Sequence, residues 1–160
     1  MTIKVGDKIP SAKLKHKGES GIDEVTTEEL FGGKKVVLFA LPGAFTPTCS
    51  AKHLPGFVDH AADFAAKGVD TVACVSVNDA FVMDAWGKDQ KVGDKVLMLA
   101  DGNCEFSDAL GLSFDASGFG MGKRSQRYAL VAENGVVTAL NVEKPGAFEV
   151  SSAEAVLKAL

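Results

Sequence analysis

Three strand-length, largely apolar runs constrain the fold of this chain more than any other feature of its sequence. They occupy residues 36–41, 69–77 and 96–100. Unbroken runs of this length are typical of strands that are buried on both faces of a sheet. Helical patterns separate the runs, so the sheet needs helices on both of its faces to cover it.

Helix signals recur between and after these strands. Helices are predicted over residues 26–30, 47–67, 79–91, 105–110 and 151–160. Gly68 ends the second helix as its C′ residue. Ser151 and Glu154 form a capping box that opens the last helix, and Asn78 or Asp79 caps the third.

Asn134-Gly135 lies between two apolar segments, residues 128–131 and 136–140, and predicts a β-hairpin. The order of elements therefore predicts an α/β fold with a mixed central sheet and helices on both faces. A chain of this length is expected to form a single domain, residues 1–160.

Composition and charge exclude several classes of function. The net charge is −4, and no cluster of lysine and arginine suits a nucleic acid or an anionic membrane surface. No apolar run has the length of a membrane span. The N-terminal residues 1–7 lack the apolar region of a signal peptide. We therefore expect a cytoplasmic protein, with an organelle protein that has lost its transit peptide as the alternative.

The cysteines pose the question of function. The chain has three, Cys49, Cys74 and Cys104, and three scattered histidines, His16, His53 and His60. An odd number of widely spaced cysteines argues against a disulfide framework, and the ligand spacings of a zinc site are missing. We expect no metal and no cofactor, so the question is which thiol reacts.

Cys49 lies in a turn that favours a reactive thiolate. Pro47 fits the first position of a helix, which makes Thr46 the N-cap and Cys49 the third helical residue. The Thr46 hydroxyl is predicted to accept the Cys49 N–H, and the free N–H groups of the first turn favour the anionic sulfur. The alternative is that Cys49 is a small buried residue at the start of a helix. Pro42 and Pro47 stiffen both sides of the turn, which suits a pocket of fixed shape.

The spacing Pro42-x-x-x-Thr46-x-x-Cys49 resembles the active-site signature of the peroxiredoxins. Four separated blocks resemble the peroxiredoxin-5 (type II) subfamily in particular, at residues 42–50, 53–57, 72–81 and 127–130. This resemblance implies a thioredoxin-like fold. It also implies a thiol peroxidase that reduces hydrogen peroxide and alkyl hydroperoxides through a sulfenic acid on Cys49, in antioxidant defence and redox homeostasis.

The resemblance also implies roles for four residues. The Thr46 hydroxyl, the Cys49 N–H and the Arg127 guanidinium would hold the peroxide and the thiolate, and Pro42 would shield the sulfenic acid. Without the resemblance, Arg127 would be a solvated charge in a basic loop, and Arg124 of the same loop is a weaker candidate. His53 is expected to pack or to form hydrogen bonds. Pro55 is expected to kink its helix by removing a hydrogen bond to the carbonyl of Ala51.

Regeneration of the thiol is less constrained. Some type II relatives carry a resolving cysteine near position 151, where this chain has Ser151. Cys74 follows Cys49 at a spacing seen in plant-like members, but it lies in a buried strand, and Cys104 is expected to be more exposed. We predict a one-Cys cycle with an external thiol, first glutathione with glutaredoxin and second thioredoxin.

The resemblance also implies a homodimer. Phe45 and Phe119 are expected to lie at the dimer contact, at the mouth of an apolar substrate pocket or in the core.

Two other functions compete with the peroxidase. A thioredoxin-type oxidoreductase would need a cysteine at position 46, where the chain has Thr46. A redox-sensing or chaperone-like protein would use Cys49 only as a switch.

Overall fold

The computed structural model describes residues 2–160, which are built around a seven-stranded mixed sheet and a separate two-stranded ribbon. The strands are β1 (Lys13–Gly18), β2 (Gly21–Thr26), β3 (Lys35–Ala40), β4 (Thr71–Ser76), β5 (Leu97–Ala100), β6 (Ser113–Asp115), β7 (Lys123–Ser125), β8 (Tyr128–Glu133) and β9 (Val136–Val142). The order in the large sheet is β2-β1-β5-β4-β3-β8-β9. Its centre, β3, β4 and β5, is parallel, and the outer strands are antiparallel.

Helices cover both faces of this sheet. They are α1 (Thr27–Phe31), a π-helical segment (Cys49–His53), α2 (Leu54–Asp59), α3 (Ala61–Ala66), α4 (Ala80–Asp89), α5 (Glu105–Leu110) and α6 (Ala153–Ala159). Successive residues of β3 enter two different cores: Phe39 packs with α2, α3, α4 and α6, whereas Leu38 packs with α1 and α5. This alternation of buried side chains explains the continuous apolar runs. The predicted mixed sheet with helices on both faces is confirmed.

Local signals placed several boundaries well. Asp79 caps α4, and its carboxylate accepts the Val82 N–H at 2.8 Å. Gly68, at φ +83°, follows the end of α3. Asn134 and Gly135 both have positive φ and join β8 to β9, as a type I′ hairpin requires.

The long helix predicted over residues 47–67 is interrupted. The Leu54 N–H bonds to the Cys49 carbonyl, five residues earlier, which defines the π-helical segment. Pro55 follows it and has no N–H to give to Ala51, which fits the expected kink. A second break at His60 separates α2 from α3.

The predicted cap of the last helix is wrong by one residue. Ser152 is the N-cap, and its hydroxyl accepts the Ala155 N–H at 3.1 Å. Ser151 is fully buried, and its hydroxyl donates to Glu143. Ser151 and Ser152 are adjacent, and the sequence alone does not show which of them caps the helix. Because Ser151 is buried beside Glu143, its hydroxyl bonds to that carboxylate instead.

Candidate active site

The turn that carries Cys49 follows the carboxyl end of β3. The helical residues begin at Pro47, which makes Cys49 the third helical residue, as predicted. Its side chain is completely buried. Phe45, in the same turn, has a left-handed backbone at φ +63°, which is uncommon for a residue with a bulky side chain.

Arg127 provides the positive charge beside this sulfur. It directly precedes β8, the antiparallel neighbour of β3, so the sheet itself brings residues 49 and 127 together. Arg127 Nη2 donates to Cys49 Sγ at 3.1 Å. A guanidinium remains charged at neutral pH, so a fixed positive charge lies in direct contact with this sulfur.

His53 holds the other arm of the guanidinium. Arg127 Nη1 lies 2.7 Å from His53 Nδ1, and His53 Nε2 lies 3.0 Å from the Ser151 carbonyl oxygen. Because the arginine can only donate, Nδ1 accepts and Nε2 carries the proton. Burial, followed by the charge of Arg127, lowers the pKa of His53 to about 3. His53 is therefore neutral at physiological pH.

Thr46 directly precedes Pro47, the first helical residue, as predicted. The predicted hydrogen bond of its hydroxyl is wrong. The hydroxyl donates to the Gly43 carbonyl at 2.7 Å and does not cap the Cys49 N–H. The Pro42–Pro47 turn folds back on itself, so a carbonyl three residues earlier lies within reach. The hydroxyl proton is thus occupied, and the lone pairs of the Thr46 oxygen remain available to accept a hydrogen bond.

Pro42 is held through its backbone. Arg124 Nη1 donates to the Pro42 carbonyl at 3.1 Å, and Arg124 Nε donates to the Met121 carbonyl at 3.0 Å. Gly43 makes this approach possible, since a Cβ there would lie 2.7 Å from Arg124 Nη1. Arg124 therefore holds the backbone of the turn, a role that was not predicted from the sequence.

Two more contacts around the turn were not predicted from the sequence. The Ala44 N–H donates to Asn78 Oδ1 at 3.0 Å, and Trp86 Nε1 donates to Ser50 Oγ at 3.0 Å. Both partners come from the β4–α4 region, more than thirty residues away in sequence. His53 did carry a signal, since it follows Cys49 by four residues and such pairs share a helix face.

The other two thiols lie in environments that suppress their reactivity. Cys74 is completely buried within β4, and burial raises its pKa well above the usual value. Cys104 is 4% exposed and Cys74 is 0% exposed, so Cys104 is the more exposed of the two, as expected, but only slightly. Burial, followed by the charges of Asp108 and Asp101, raises the pKa of Cys104. All three cysteines are free.

Phe45 and Phe119 are 54% and 82% exposed, so neither belongs to the core. Within residues 2–160, no group of three or more histidine, cysteine or acidic side chains is arranged to hold a metal ion. No helix in the same range is long and apolar enough to cross a membrane.

This geometry places a buried cysteine sulfur against a fixed cation, beyond the carboxyl end of a parallel strand. Such an arrangement suits attack on a small neutral electrophile, since the cation also stabilises charge on a departing oxygen.

Comparisons with known proteins agree with that chemistry. The Redoxin family model matches residues 4–157. Peroxiredoxin-2E-2, chloroplastic, of Oryza sativa subsp. japonica is 57% identical over 164 residues, which cover 99% of this chain and 73% of that protein.

Solved structures give the same answer. Reduced Prx3 in complex with H2O2 from Vibrio vulnificus has a TM-score of 0.96 and 56% identity, covering 99% of both chains. The Plasmodium falciparum antioxidant protein (1-Cys peroxiredoxin) has a TM-score of 0.91 and 31% identity, covering 96% of both chains. The chain therefore belongs to the redoxin family, as a thioredoxin-fold thiol peroxidase of the peroxiredoxin-5 (type II) subfamily.

Proposed function

We propose that Cys49 is the peroxidatic nucleophile and that an external thiol regenerates it in a one-Cys cycle. The observation that carries the proposal is the 3.1 Å contact between Arg127 Nη2 and Cys49 Sγ. The other two cysteines, Cys74 and Cys104, are buried thiols whose pKa values are raised. The positive charge in contact with its sulfur therefore favours Cys49 as the nucleophile.

The proposed reaction begins with attack of the Cys49 thiolate on one oxygen of the peroxide. The S–O bond forms as the O–O bond breaks, and the departing oxygen leaves as water or an alcohol after taking up a proton. Cys49 becomes the sulfenic acid. Arg127 stabilises the developing negative charge. The complex of the reduced Vibrio vulnificus relative with H2O2 supports hydrogen peroxide as the substrate, and alkyl hydroperoxides share the same O–O bond.

Thr46 and Pro42 complete the proposed site. Since the Thr46 hydroxyl gives its proton to Gly43, its oxygen is oriented to accept the O–H of the peroxide. The peroxide would thus donate to Thr46 while its oxygens accept from Arg127 and the Cys49 N–H. Pro42, whose carbonyl Arg124 holds, limits access of a second peroxide to the sulfenic acid.

For the reductant, we propose glutathione with glutaredoxin first and thioredoxin second. Cys49 is completely buried, which favours first attack by a small thiol over direct docking of a protein thiol. Glutathione thiolate displaces water from the sulfenic acid and gives a mixed disulfide, which a second thiol reduces. The Plasmodium falciparum relative is described as a 1-Cys peroxiredoxin, which supports the same cycle.

The decisive experiment compares peroxide consumption by wild type, Cys49→Ser and the double variant Cys74→Ser/Cys104→Ser. Each is assayed with glutathione and glutaredoxin, and separately with thioredoxin. We expect the double variant to turn over and Cys49→Ser to be inactive with both reductants. Loss of all turnover in a folded double variant would contradict the one-Cys cycle.

We further propose a homodimer that forms through the face bearing the exposed rings of Phe45 and Phe119. Exposed aromatic rings of this size are enriched in protein interfaces. Sedimentation of wild type and Phe119→Ser tests this, and a monomeric wild type would refute it.

The free thiols favour a reducing compartment, the cytoplasm or an organelle.

A further inference from the structure

A buried carboxylate, Glu143, lies directly after β9 and gathers an unusual number of donors. Its Oε2 accepts the N–H groups of Glu149, Val150 and Ser151 at 2.8–2.9 Å, and the Ser151 hydroxyl at 2.6 Å. Its own N–H donates to the Arg127 carbonyl at 2.9 Å. Glu143 is thus tied to the backbone of Arg127 on one side and to the loop 147–151 on the other.

The loop 147–151 carries two groups to the active site. The carbonyl of Ser151 accepts the proton of His53 Nε2 at 3.0 Å. The ring of Phe148 meets His53 edge-on, with 5.1 Å between ring centroids, and lies 5.8 Å from the guanidinium carbon of Arg127. The loop therefore contacts both His53 and Arg127, and Arg127 contacts Cys49.

The Ser151 carbonyl also decides which tautomer His53 adopts. With the proton of Nε2 engaged, Nδ1 offers a lone pair to Arg127 Nη1 at 2.7 Å. The same guanidinium then donates from Nη2 to Cys49 Sγ. If the carbonyl moved away, the imidazole could turn its proton toward the arginine, and the two donors would oppose each other.

We propose that Glu143 is a positioning residue for peroxide reduction, which holds the Ser151 carbonyl so that His53 fixes the Arg127 guanidinium on Cys49. This inference rests on the proposed role of Arg127 in that reaction. A carboxylate that served only to anchor the end of the chain would stabilise the fold without affecting the imidazole. The charge of Glu143 is compensated by four donors, which is the arrangement expected of a buried ionised group.

The test uses Glu143→Gln, in which an amide N–H₂ is placed among the N–H groups of the loop. Two quantities are measured: the second-order rate of Cys49 oxidation by hydrogen peroxide, followed by Trp86 fluorescence, and the His53 tautomer, followed by ¹⁵N NMR. We expect the rate to fall at least about tenfold, because a small misplacement of a reacting group is costly. We also expect His53 to lose its single Nε2–H tautomer.

Glu149→Gln is the matched control, because its exposed side chain lies on the same loop and only its backbone N–H contacts Glu143. It should keep the wild-type rate and tautomer. Ser151→Ala removes one of the four donors but leaves the carbonyl in place, and it should give a smaller change in both quantities. It carries the test if Glu143→Gln does not fold.

A double-mutant cycle with His53→Leu tests the route of the effect. Glu143→Gln should slow the reaction in the wild-type background and have little further effect in the His53→Leu background. A folded Glu143→Gln protein with the wild-type rate, or with a slower rate and an unchanged His53 tautomer, would overturn the proposal. Failure of the proposed function is recognised separately, because Arg127→Gln would then leave the oxidation rate unchanged.

Discussion

Cys49 and Cys104 both lie in turns between a parallel strand and a helix, yet their surroundings have opposite charge. Each follows the carboxyl end of a parallel strand, β3 or β5, and each lies at the start of a helical segment. Both side chains are buried, at 0% and 4% exposure. Burial and the strand end that each one follows therefore do not distinguish them, although Cys49 is the third residue of its helix and Cys104, at φ +61°, is the N-cap.

The neighbouring charge does distinguish them. Cys49 meets the guanidinium of Arg127, whereas Cys104 lies in the field of two carboxylates, Asp108 and Asp101. Asp101 is itself engaged by the N–H groups of Phe106 and Ser107 at the start of α5. A cation beside the sulfur favours Cys49 as the proposed nucleophile, whereas burial and the two carboxylates raise the pKa of Cys104.

Exchange of each cysteine for serine should give the largest contrast between the two regions. Cys49→Ser removes the nucleophile, and peroxide consumption should fall at least about a thousandfold. Cys104→Ser should remain near wild type in the same assay with glutathione and glutaredoxin. Comparable losses in the two variants would show that the charge argument misassigns the reactive thiol.

Removal of the cation should bring Cys49 closer to the state of Cys104. In Arg127→Gln, oxidation of Cys49 by hydrogen peroxide should slow by about a hundredfold to a thousandfold, the cost of losing one preorganised charged donor. Arg127→Lys keeps the charge without the two-armed contact and should fall between wild type and Arg127→Gln. Stopped-flow oxidation measures all three proteins, and equal rates would remove Arg127 from the mechanism.

Thr46 should contribute less than Arg127. Thr46→Val removes the oxygen proposed to accept the peroxide O–H, and the rate should fall about tenfold, the kinetic equivalent of one hydrogen bond. Thr46→Ser keeps the hydroxyl and serves as the control. If both variants slow equally, the methyl group of Thr46 matters rather than its oxygen.

Acid should weaken the Cys49 region before the Cys104 region. The pKa of His53 is lowered from 6.5 to about 3, so the unfolded chain binds more protons than the folded one between these values. Stability is therefore lost as the pH falls from 6.5, at a slope approaching about 1.4 kcal/mol per pH unit. Burial raises the pKa of Asp101, which gives the opposite sign in its own range.

Hydrogen exchange at pH 7 and pH 5, corrected for intrinsic rates, measures this difference. Protection of the Cys49–His53 segment should decrease more than that of α5. In His53→Gln, which has no imidazole to protonate, the pH dependence of the first segment should flatten. A greater loss in α5 would contradict the assignment of His53 as a buried neutral base.

The central strands could be predicted because strands that are buried on both faces consist of continuous apolar residues, and the helices between them carry their own sequence signals. β1 and β2 were not predicted, because they pair at the edge of the sheet and carry lysines and acids on exposed positions. A strand with one solvated face at the sheet edge has a weaker apolar pattern.

The site divides in the same way. Cys49, Thr46 and Pro42 share one local segment, so a motif could identify them. The contacts that arrange them come from distant segments: Arg124 on Pro42, Asn78 on Ala44, and the loop bearing Ser151 on His53. The burial of Cys104 and the exchange of roles between two adjacent serines likewise depend on tertiary packing, which local patterns do not encode.

Identification of the oxidised thiol tests the central claim most directly. The reduced protein is treated with one equivalent of hydrogen peroxide in the presence of dimedone, and the adduct is located by mass spectrometry as a function of time. Dimedone should label Cys49 and leave Cys74 and Cys104 unlabelled, at a rate of oxidation far above that of free cysteine. Labelling at Cys104, or oxidation of Cys49 no faster than free cysteine, would contradict the account.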